Sequence, residues 1–111
     1  ASFASDDLAE KGAKVYKKCK ACHMVGENAK NKVGPQLNNI IGRKAGSLEG
    51  YKFSRAMEAK GDEGLVWTDE TLRAYLAAPR KFVPKTKMAF SGLRKDSDLD
   101  AIIAYLKTYS E

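Results

Sequence analysis

Apolar positions recur at helical spacing in three stretches of the chain. Over residues 6–19, Leu8, Gly12, Val15 and Tyr16 fall at i, i+4, i+7 and i+8, one face of a helix. Asp6 or Ser5 suits its N-cap, and Asp7 and Glu10 suit its first turns, where acids meet the positive end of the helix dipole. A glycine on the apolar face predicts close approach by another helix. Over 68–78, Thr68 can cap, Asp69 and Glu70 sit at the positive end, and Leu72, Tyr75 and Leu76 make the stripe. Pro79 stops that helix, because its ring cannot continue the ladder. Over 98–109, Leu99, Ile102, Ile103 and Leu106 give i, i+3, i+4, i+7, and Ser97-x-x-Asp100 resembles a capping box with the shorter acid. Short helical turns are expected near 53–60 and near 37–41. No stretch alternates convincingly as a strand, so the class is all-α.

The middle of the chain does not fit that pattern. Seven of nine glycines (Gly26, Gly34, Gly42, Gly46, Gly50, Gly61 and Gly64) lie between residues 24 and 66, a stretch poor in periodic apolar residues. At 111 residues the chain is one domain, 1–111. Long structureless loops are uncommon in a domain of that size. The composition, 43% hydrophobic, excludes disorder. Something besides side chains must therefore fill the core.

Cys19-Lys20-Ala21-Cys22-His23 supplies a candidate. C-x-x-C-H is the attachment signature of c-type haem. Two cysteines three positions apart can reach the two vinyl groups on one porphyrin edge, and the adjacent imidazole is then aimed at the iron. A thioredoxin-like dithiol would need a strand–helix context that this chain lacks. Two Cys and one His are too few for an all-protein zinc site.

A second iron ligand must come from Met24, Met57 or Met88. Met24 follows His23 directly and cannot reach the opposite face of the ring. Met57 falls in a helical stretch. Met88 lies in a loop between the second and third helices, stiffened by Pro79 and Pro84, and is the better candidate. A His/Met pair leaves no open coordination position and raises the potential, properties that suit one-electron transfer. A haem enzyme or sensor would need an open sixth position. A thiol–disulfide oxidoreductase would carry free thiols.

The chain resembles class I cytochromes c, in particular the bacterial cytochrome c2 and mitochondrial-like group. The resemblance rests on Cys19–His23, Gly34-Pro35, Arg43, Trp67-Thr68, Tyr75-Leu76, Pro84-x-Thr86-Lys87-Met88 and Ala104-Tyr105-Leu106. It implies three main helices, with short helices and long loops, wrapped around one haem c bound through Cys19 and Cys22. It implies an electron carrier, not an enzyme, with His23 and Met88 on the iron. By the same resemblance, the Pro35 carbonyl accepts the His23 ring hydrogen. Arg43 and Trp67 hold one propionate, and Thr86 and Lys87 lie near the other. Tyr75 hydrogen-bonds the methionine sulfur, Phe90 packs beside the exposed haem edge, and Gly12 meets Tyr105 where the terminal helices cross. Three departures from the mitochondrial pattern point to a bacterial member. Phe53 stands where the family has a tyrosine, leaving Tyr51 as a substitute phenol. Met57 replaces a polar residue. The stretch 59–66 is longer.

Charge adds a surface. Twenty Lys and Arg against fourteen Asp and Glu give +6. Lys17, Lys18, Lys20, Lys32, Lys81, Lys85, Lys87 and Lys95 flank the haem-binding segments. The resemblance implies docking of these lysines on acidic patches of membrane redox complexes: a cytochrome bc1-type donor and, as acceptor, cytochrome c oxidase or a photosynthetic reaction centre. Nucleic-acid binding lacks a motif. No apolar run could span a membrane, and the first residues lack a signal-peptide pattern, as in a mature chain. A periplasmic monomer is expected, alone or as the soluble domain of a membrane-anchored cytochrome.

Overall fold

The computed structural model describes residues 3–110, and among them five α-helices carry the regular structure. Helix α1 spans Phe3–Val15 and runs into a 3-10 turn, Tyr16–Lys18. The sequence pattern placed its start at residue 6. The side chains of Ser5 and Asp6, expected as caps, lie outside the described residues. Helix α5, Asp96–Lys107, packs across α1, and its Leu99, Ile102, Ile103 and Leu106 are all buried. The crossing depends on Gly12. A Cβ there would overlap the Ala101 carbonyl and sit 2.5 Å from Tyr105 Cβ. The expected capping box at Ser97 and Asp100 is not formed. α5 starts one residue before Ser97, with Lys95 at its N-cap and no side-chain cap bond.

Helix α2, Arg55–Asp62, starts at Ser54, whose hydroxyl accepts from Met57 N–H at 3.1 Å. Helix α3, Asp69–Ala77, has the expected Thr68 cap. Thr68 Oγ1 accepts from Thr71 N–H at 3.1 Å, and Thr71 Oγ1 accepts from Thr68 N–H at 2.8 Å. Pro79 ends α3 and opens α4, Pro79–Phe82, at a position where its missing N–H costs nothing. The short turns expected near 37–41 are present but extend into no helix, and Leu37 N–H and Asn39 N–H donate outward to Met24 and Tyr109.

Between His23 and Ser54 the chain forms no helix. It is tied by turns and by one isolated antiparallel bridge, Lys44 to Val66. Trp67 N–H donates to Arg43 C=O at 2.9 Å, Gly42 N–H to Trp67 C=O at 2.7 Å, and Ala45 N–H to Leu65 C=O at 2.9 Å. This stitch brings the glycine-rich middle against the start of α3. No helix among the described residues is long and apolar enough to cross a membrane.

The α1–α5 crossing yields a stability prediction. Gly12→Ala gains about 1 kcal/mol of helix propensity, but overpacking at a rigid contact costs up to about 3 kcal/mol. A net loss is expected, read as a lower guanidinium midpoint. An unchanged or higher midpoint would show that the crossing has slack.

Candidate functional site

The 3-10 turn delivers the first sulfur. Cys19 N–H donates to Tyr16 C=O at 2.8 Å, and one further turn follows, with Cys22 N–H and His23 N–H both donating to Cys19 C=O at 3.0 Å. One tight turn thereby brings Cys19, Cys22 and His23 to the wall of a single cavity of about 250 Å³. Burial pushes the Cys19 thiol up to about 11, with nearby Cys22 adding and Lys18 opposing.

His23 is fixed from two sides. Its Nδ1 donates to Pro35 C=O at 2.8 Å, which selects the tautomer and leaves Nε2 as the free ring nitrogen. Gly34 lies flat against the ring. A Cβ there would overlap the imidazole, 2.7 Å from Nδ1 and 2.9 Å from Nε2. Burial lowers the pKa of the ring, the Pro35 bond opposes that, and the Lys32 charge lowers it further. The outcome favours the neutral imidazole that a metal requires. The backbone continues the pairing on either side, with Gly34 N–H donating to Cys22 C=O at 2.8 Å and Leu37 N–H to Met24 C=O at 3.0 Å.

Arg43 supports the same segment from outside. Nη1 donates to Gln36 C=O at 2.9 Å and Nη2 to Asn38 C=O at 2.6 Å. A guanidinium has five N–H donors, so others remain for an anion in the cavity that Arg43 also lines. Gln36 and Asn38 were not singled out in the sequence. A run of Gln and Asn just beyond Gly34-Pro35, in a loop, is the one signal that could have flagged them.

Met88 reaches the cavity from the loop after α4. Thr86 organises that loop. Its Oγ1 pairs with Tyr75 OH at 2.7 Å and meets Met88 N–H at 3.5 Å. The Tyr75 phenol thus bonds Thr86, where a bond to the methionine sulfur was expected. Tyr75 packs against buried Trp67 in a tilted ring pair, centroids 5.1 Å apart, and both line the cavity. Met57, buried on α2, brings a second thioether to the same cavity. Met24 does not line it.

Two residues expected near the propionates bond elsewhere. Tyr51 OH donates to Val33 C=O at 2.6 Å, so the substitute phenol is already engaged. Lys87 Nζ donates to Lys52 C=O and lies 4.5 Å from the Tyr51 ring centroid. Both still line the cavity, as does Phe90. The twelve positions expected at the cofactor therefore share one cavity. Tyr16 joins them there, unforeseen at the cavity, with a buried hydroxyl that has no hydrogen-bond partner among the described residues.

These walls fit a flat apolar group held by two sulfurs. The lining is mainly apolar, both cysteines are on it, Gly34 leaves room for the imidazole, and thioether sulfur is at hand. Such a donor set defines a c-type haem protein. The chain belongs to the cytochrome c family, whose model matches residues 9–110. It is 58% identical over 103 residues to cytochrome c2 of Afifella marina, covering 93% of this chain and 83% of that one. It is 56% identical over 96 residues to cytochrome c2 of Agrobacterium tumefaciens (strain II Chrys), 86% of each. The solved structure of cytochrome c2 from Rhodospirillum centenum superposes with a TM-score of 0.88 at 40% identity, covering 93% of this chain and 98% of that one. The chain is thus a bacterial, cytochrome c2-like class I member. It carries one haem c through Cys19 and Cys22 and moves electrons among membrane redox complexes; it is not an enzyme.

The Arg43 contacts predict a graded loss. Arg43→Ala removes two charge-assisted hydrogen bonds and should cost about 2–3 kcal/mol in denaturant unfolding. Arg43→Lys should recover less than half, because an ammonium lacks the planar fork. Equal stability of the two variants would contradict the bidentate reading.

Proposed function

We propose that His23 and Met88 are the two iron ligands and that the whole chain, 1–111, works as a single-domain monomer. The observation that carries this reading is the His23–Pro35 bond at 2.8 Å, which frees Nε2 for iron in the cavity that Met88 also lines. Haem c supplies a one-electron iron couple. The surrounding residues hold it in place and keep water away. Pro35 makes the imidazole a better donor by accepting its Nδ1–H. Arg43, with donors to spare, and buried Trp67 suit one propionate. Thr86 and Lys87 suit the other end, with Tyr51 bracing Lys87. Tyr75 acts on Met88 through Thr86, and Phe90 packs at the exposed edge. With His23 and Met88 both holding the iron, no position would be left for oxygen or substrate, which suits one-electron transfer.

The partners follow from charge. All eight of the lysines flanking the haem segments are exposed. Such a ring suits brief docking on acidic patches, where steering raises the encounter rate more than the affinity. The reading is a carrier from a bc1-type complex to a terminal oxidase or a photosynthetic reaction centre. The periplasm is the compartment, because this family attaches haem outside the bacterial cytoplasm.

Met88→Ala should abolish the sulfur-to-iron absorption band of the oxidised protein. It should lower the potential on the order of 0.2 V, within the roughly 0.8 V that axial ligands span. Met57→Ala should keep the band. Loss of the band in the Met57 variant alone would transfer the ligand role to α2. The electron-transfer rate with a purified bc1-type complex should fall steeply between low and physiological salt. A flat profile would remove the lysines from docking.

A further inference from the structure

The segment after His23 and the segment after Gly34 pair like rungs. Gly34 N–H meets Cys22 C=O, His23 Nδ1 meets Pro35 C=O, and Leu37 N–H meets Met24 C=O, at 2.8, 2.8 and 3.0 Å. The last rung is made by a side chain. Gly26 N–H donates to Asn38 Oδ1 at 2.8 Å, and Asn38 Nδ2 donates to Gly26 C=O at 2.7 Å. The carboxamide of Asn38 stands in for a peptide group and bonds both backbone groups of one residue. Its own backbone is also occupied. Asn38 N–H donates to Gln36 Oε1 at 2.7 Å, and its C=O accepts from Arg43 at 2.6 Å. All four polar groups of Asn38 thus hold the frame that carries Pro35.

We infer that Asn38 is a positioning residue for His23. Pro35 has no N–H, so its own rung is the His23 bond alone. The Pro35 carbonyl keeps its direction only if the ladder is fastened on both sides. Cys22 to Gly34 fastens one side next to the covalent attachment. Leu37 and Asn38 fasten the other, and Gly26, at φ +103°, is a place where the chain would otherwise peel away. Releasing the Asn38 rung lets the far side open and loosens the acceptor that orients the axial ring. Second-sphere partners of this kind set ring orientation and ligand basicity. The inference rests on His23 as an iron ligand.

The test uses the haem-loaded protein and NMR of His23. Deuterium exchange of the His23 Nδ1–H is followed in the reduced, diamagnetic form, well below the unfolding transition. Asn38→Ala should speed it at least about tenfold, the effect of losing one or two net hydrogen bonds. It should also move the hyperfine-shifted His23 ring protons of the oxidised form. Asn38→Asp keeps the acceptor for Gly26 N–H and loses the donor, so its exchange should fall between. It carries the test alone if the Ala variant does not accumulate. Thr68→Ala, which removes the α3 cap, is the control for general loss of stability and should leave both readouts in place. The inference is overturned if exchange in the Asn38 variants rises no more than in the control, or if the ring signals stay put. Absence of hyperfine shifts on His23 in the unaltered protein would instead overturn its role as ligand, a separate failure.

Discussion

Attachment of a flat apolar group to Cys19 and Cys22 is the constraint on which the rest of this molecule depends. Two sulfurs one helical turn apart fix a plane against the end of α1. Everything after His23 then has to cover that plane. The glycine-rich middle can do so because it need not pack on itself. It is held by rungs to the 22–26 segment, by the Lys44–Val66 bridge and by Arg43 reaching back to Gln36 and Asn38. A stretch that looked too irregular for a compact domain is wrapping whose core comes from the cofactor.

The α1–α5 crossing supports this arrangement from behind. Gly12 lets α5 approach until its Ala101 carbonyl occupies the space of a side chain. The adjoining face of α5 presents Ile102 and Leu106 to the cavity, so the helix serves as both scaffold and wall. Tyr16 sits where these roles meet, in ring contact with Tyr105 at 5.2 Å and at the cavity edge, its phenol pushed up to about 12 by burial.

The two sides of the site differ in character. On the His23 side the ring is held by a backbone acceptor, a glycine platform and a ladder, a rigid setting. On the Met88 side a short loop is ordered by hydroxyl contacts among Tyr75, Thr86 and Met88 N–H, with Lys87 tied to the 51–52 turn. In the proposed ligand pair, the Met88 thioether would lean on these loop contacts for its position. Two propionates would offset part of the +6.

Much of this was legible in the residues. C-x-x-C-H specifies the cofactor because that spacing matches a porphyrin edge. Three apolar stripes specify three helices because burial of one face is what stabilises them. Gly12 on such a stripe announced the crossing. Hydrogen-bond partners were legible only in part: the Pro35 acceptor of His23 and the Thr68 cap were, and several others were not. Ser97 and Asp100 have capping letters, yet α5 begins before them, at Asp96. Sequence spacing also gave no sign that Tyr75, Tyr51 and Lys87 bond Thr86, Val33 and Lys52 in the folded loops. Asn38 carries no motif at all. A polar side chain can reach many partners, and the choice among them is made by which backbone segments the folded loops bring within 3 Å.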